Sequence, residues 1–130
     1  MAASVTPMNA IPPDFRALMQ PGIEPDLRLA TRWAALAEAA RVVAALAQAP
    51  EVEAATRAPF ALDRTPGGRR PLVEQAIDDM LAMMEPGLTA LLDVHQRGGQ
   101  TAPAAMALWQ EFLRARRGLV ALAPIGMAAR

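Results

Sequence analysis

The chain has 130 residues and carries thirteen basic against thirteen acidic side chains. With no net charge, nothing global draws it to nucleic acid or to an anionic membrane surface. Every cation is arginine, so Schiff-base, phosphate-loop and lysine-base chemistry are excluded. The lack of cysteine excludes disulfides, thiolate nucleophiles and thiolate metal sites.

Hydrophobic residues make up 53% of the chain, but many are alanine and only 4% of residues are aromatic. Large apolar side chains must therefore be placed economically, one stripe per helix. Residues 1–12 carry Pro7 and Pro12 without periodicity and read as an extended arm, lacking the apolar run of a signal peptide. The expected location is cytoplasmic. Residues 13–130 read as one helical domain.

Asp14 precedes Phe15, Leu18 and Met19, and Pro21-Gly22 follows, so a short capped helix is expected over 14–20. Leu29, Trp33, Leu36, Ala40, Val43 and Ala47 then recur at steps of four and three, which predicts a long helix over about 25–49. Pro25 suits its first turn and Pro50 stops it. Another short helix is expected over 51–57, with Glu51 and Glu53 at its positive end. Pro59, Pro66, Gly67 and Gly68 make 58–70 a loop, anchored by Phe60 and Leu62 with Arg64, Arg69 and Arg70 pointing outward.

Pro71 opens the next helix, where Val73, Ile77, Leu81, Met84, Leu88, Leu91 and His95 again share a stripe. The phase survives Glu85-Pro86-Gly87, which predicts one helix over 71–97, kinked near Pro86. Gly98-Gly99 ends it. A last helix over 102–123 is expected to be capped by Thr101, with Pro103 in its first turn. Its stripe holds Ala105, Leu108, Phe112, Ala115, Leu119 and Leu122. The expected fold is all-α: an up-down-up bundle of three long helices.

The residues name no chemistry with the same clarity. Arg69 and Arg70 precede a helix N-terminus and follow two glycines, an arrangement that suits an anion, although pairing with Glu74 or Asp78 is the plainer reading. Glu74, Asp78 and Glu85 share a helical side that lies opposite the apolar stripe, so they read as a wet acidic face and not a cation site. His95 is the only histidine and reads as a helix-end residue. No catalytic set, metal set or cofactor motif is present, and the expectation is a protein without enzymatic activity or cofactor.

The apolar faces widen to include Trp109, Leu113, Val120, Met80 and Met83, more than three alanine-packed helices readily cover. The expected function is therefore contact with another protein, foremost a second copy through the last two helices. No nucleic-acid or membrane partner is expected. The alternative is a small-ligand regulator or enzyme. It would have a pocket near Trp33 and Trp109, gated by the 58–70 loop, and an anion site at Arg69 and Arg70.

Overall fold

A computed structural model describes residues 25–123, with side chains from Leu29 onward. The expected arm over 1–12, the short helix over 14–20 and the chain beyond 123 lie outside the described residues. Among the described residues four α-helices follow one another: α1 (Pro25–Ala47), α2 (Val52–Thr56), α3 (Arg70–Gln96) and α4 (Ala102–Val120). A 3-10 turn, Leu62–Arg64, lies between α2 and α3. Among the described residues there is no strand, and α1, α3 and α4 pack on one another in a triangle.

The α1 stripe behaves as its spacing requires. Leu29, Trp33, Leu36, Ala40, Val43 and Ala47 are all buried, joined by Ala37 and Ala44. Four buried alanines on one helix bring its neighbours close, so the core is thin and depends on few large side chains. At its centre Phe112 is fully buried between Trp33 (ring centroids 6.1 Å apart) and Trp109 (5.4 Å, stacked).

The helix α3 runs unbroken through Pro86, as its continuous phase predicted. Pro86 is exposed, so the ladder bond it cannot make faces solvent, where water can serve the freed carbonyl. The seam follows the expected stripe at Val73, Ile77, Met84 and Leu91 and departs from it at Leu81, where Met80 is buried instead. Val73, Ile77, Met80, Met84 and Leu91 are buried, while Leu81 and Leu88 are half-buried flanks and His95 is exposed. Gly87 completes the seam. A methyl group added there would lie 2.7 Å from Cδ2 of Leu108, so the Leu108 side chain packs directly on this glycine.

The direction of the helices departs from the expected alternation. Arg32 pairs with Asp78 at 3.2 Å, and residues 35–42 of α1 face residues 85–89 of α3. Residue numbers rise together, so α1 and α3 are parallel. Ala104 and Leu108 of α4 instead lie beside residues 87–94 of α3, and that pair is antiparallel. The bundle is up-up-down because residues 48–69 return along α1 before α3 begins. The indole Nε1 of Trp33 donates to the carbonyl of Thr56 at 3.0 Å, and Phe60 and Leu62 are buried against the core. The expected loop anchors are thus real, and they hold a crossover instead of a local turn.

The helix ends differ in quality. Gly98 takes φ 79°, and Gly98 and Gly99 donate to His95 and Val94 carbonyls, a glycine-terminated Schellman end. The end of α1 has the same pattern, with Gln48 and Ala49 donating to Ala45 and Ala44, but Gln48 must take φ 56°. A side chain there costs about 1 kcal/mol. Gln48→Gly is accordingly expected to stabilise the fold by about 1 kcal/mol, read as a rise of roughly 4 °C in Tm. An unchanged or lower Tm would show that the strain is absent. Thr101 occupies the N-cap position of α4 but makes no side-chain capping bond. Pro103, in that first turn, has removed one of the amides a capping hydroxyl seeks.

Candidate functional site

The residues singled out from sequence do not converge. Arg69 Nη1 donates to the carbonyl of Leu122 at 3.0 Å, tying the start of α3 to the end of α4. Arg70 is half-buried instead of outward, and its Nη2 donates to Thr65 at 3.0 Å. Each guanidinium is thus engaged with a different main-chain oxygen. Neither pairs with Asp78, whose partner is Arg32. Glu85 is exposed, and among the described residues no group of three potential ligands could hold a metal ion. His95 is exposed in the last turn of α3, beyond Leu91, the final buried residue of that helix.

The expected contact residues divide. Met80 and Trp109 are 3% and 2% exposed, and both belong to the core. Their apparent misfit with the stripe came from assuming one neighbour per helix. A helix in a triangle faces two, and the second neighbour claims the flank. Met83, Leu113 and Val120 are half-buried. The cleft beside Glu85 and Leu88 is lined by Ala35, Glu38, Ala39 and Val42, and receives none of Arg69, Arg70 or His95.

Two surface features stand out from this packing. The first is the outer face of the α3–α4 hairpin, a shallow depression of about 300 Å³ lined by Gly87, Ala90, Leu91, Val94, Ala104 and Leu108. All six are uncharged, and Ala90, Val94 and Ala104 are exposed. Of the charges that flank it, Asp93 pairs with Arg97 and Glu111 with Arg114, while Glu85 is exposed.

The second is a half-open groove of about 520 Å³ between α4 and the Pro50–Ala55 segment. Met106, Trp109 and Leu113 form its floor, one helical turn apart, and Pro50, Ala54 and Ala55 the facing wall. Its polar groups are Glu51, Gln110 and Arg116. Glu51 holds φ 58°, a left-handed conformation that a side chain adopts at a cost. Trp33 is not part of this groove, since its ring lies on the far side of Phe112 and its N–H is spent on Thr56.

Sequence reading missed this groove because its two walls come from segments about fifty positions apart, joined only by the crossover. The one legible signal was phase. The buried positions of α4 are 105, 109, 112 and 119, and the step missing between the last two falls on the half-buried pair Ala115 and Arg116. No helix among the described residues is long and apolar enough to cross a membrane. Comparison with known proteins finds no family model that matches this chain, and no curated protein or solved structure that matches it, so the functional reading rests on its own residues.

Proposed function

We propose that this is a non-catalytic helical interaction protein that associates with a second copy of itself through the α3–α4 hairpin. The observation that carries the reading is the uncharged hairpin face. A two-fold contact places the same patch on both partners, so a charge near the axis meets its own sign. A face built of Gly87, Ala90, Val94, Ala104 and Leu108 avoids that repulsion. Its small residues let two helices approach closely, and the flanking Asp93 and Glu111 pair with Arg97 and Arg114 within their own helices. Met80 and Trp109 take no part, being committed to the core, and Met83, Leu113 and Val120 lie on the flanks.

The test is the molar mass in solution, by light scattering on a gel-filtration peak. A mass near twice 13.8 kDa is expected for the unaltered chain. Ala90→Arg puts an exposed cation at the centre of the face, twice over in a symmetric pair. It is expected to return the mass to 13.8 kDa with Tm nearly unchanged. A monomer at all concentrations, or a dimer indifferent to Ala90→Arg, would sink the proposal.

A further inference from the structure

Residue 116 is half-buried beside Ala115 in the gap between the buried Phe112 and Leu119, a position where an economical core would carry an apolar side chain. Arginine stands there instead, and its Nε is buried with no hydrogen-bond partner among the described residues. Its Nη2 donates to the main-chain oxygen of Arg57 at 2.9 Å. Burial, and then the positive charge of Arg57, hold the Arg116 guanidinium below the usual arginine range. Among the described residues neither Arg57 nor Arg116 has a carboxylate within ion-pair distance. Two like charges stand together at one end of a groove with nothing of opposite sign beside them. A position where the sequence breaks its own pattern without a compensating contact points to something the bare fold leaves out.

The rest of the groove says what that is. Met106, Trp109 and Leu113 lay an apolar floor that leads along α4 to Arg116, about 15 Å in all. The volume of about 520 Å³ falls in the range of small-molecule sites. Glu51 precedes α2 and Arg57 follows it, so the two ends of the groove differ in sign. That polarity fits one anionic head at the Arg116 end and rejects a second head at the other. We infer that the groove binds a fatty-acid-like monocarboxylate, its alkyl body on Met106, Trp109 and Leu113 and its carboxylate between Arg116 and Arg57. Bound there, the carboxylate neutralises the repulsion between the two guanidinium groups. This inference is independent of self-association, which uses the other side of the hairpin.

The experiment is calorimetric titration of the full chain with decanoate, below its micelle concentration, beside decyltrimethylammonium of the same alkyl length. One decanoate per chain is expected, bound at least about tenfold more tightly than the cation, the value of a charge-assisted hydrogen bond. Arg116→Met is expected to erase that preference while leaving the alkyl contribution. Because this variant also loses the bond to Arg57, its folding is checked by thermal melting. Should it fail to fold, Arg57→Gln serves instead, since Arg57 is exposed and only its carbonyl is bonded; it is expected to lower the preference several-fold. Ala54→Trp fills the groove, keeps both arginines, and is expected to abolish binding of both probes. Equal affinity for the two head groups, no saturable heat, or unaltered decanoate binding by Ala54→Trp would each overturn the inference.

Discussion

Phe112→Ala is expected to cost about 3–5 kcal/mol of stability, seen as a fall of roughly 10–20 °C in Tm. Phe112 is fully buried and is the common neighbour of both tryptophans, so it joins α4 to α1 at the one aromatic contact between them. Elsewhere α1 meets its neighbours largely through alanine, which contributes little area and cannot lean into a void. The cavity left by the missing ring would therefore stay open, and the cost belongs at the upper end of the range for ring deletions. Phe112→Leu keeps most of the volume and is expected to lose about half as much. Thermal melts of the two variants decide the matter. If Phe112→Ala melted within a few degrees of the unaltered chain, the aromatic cluster would not be the centre of the fold.

Much of the architecture was legible because helical phase is a local property. The stripe from Leu29 to Ala47 is buried throughout, and Pro25, Pro50, Pro71 and Gly98 lie within a few residues of the helix ends they predicted. The continuity of α3 across Pro86 was also written in its phase. Direction was not legible. Whether residues 48–69 form a turn or a crossover depends on where Phe60, Leu62 and the Thr56 carbonyl find partners. Those partners include Trp33, more than twenty residues earlier. Periodicity marks which residues are apolar on a face, and says nothing about which distant face receives them.

The same limit governed the candidate site. Arg69 and Arg70 looked like an anion site because they precede a helix, yet each found a carbonyl that only the folded chain supplies, Leu122 for the first and Thr65 for the second. Spacing alone does not set Arg116 apart from Arg114 and Arg117, its neighbours in a run of three arginines over four positions. Only the burial of Trp109 and Phe112 reveals that residue 116 falls in phase with the core while Arg114 pairs outward with Glu111. The sign of a functional residue here is a mismatch between type and register, and register becomes known once the neighbours are in place.

Met80 and Met83 give the sharpest measurement of that difference. From sequence both look like surplus apolar residues suited to a partner surface; in the fold Met80 is sealed between helices and Met83 is half-buried at the edge. Met80→Glu is expected to cost about 4 kcal/mol or more. The carboxyl group would have to stay protonated or leave the core, and the thioether's packing is lost in either case. That is comparable to the whole stability of an ordinary domain, so the variant should be largely unfolded at 37 °C by circular dichroism. Met83→Glu can turn its carboxylate to water and is expected to cost no more than about 1.5 kcal/mol, leaving a cooperative melt. The contrast separates core from contact surface. If Met80→Glu folded normally and altered only the mass in solution, Met80 would lie at an interface between chains and the α3 seam would have to be redrawn through Leu81.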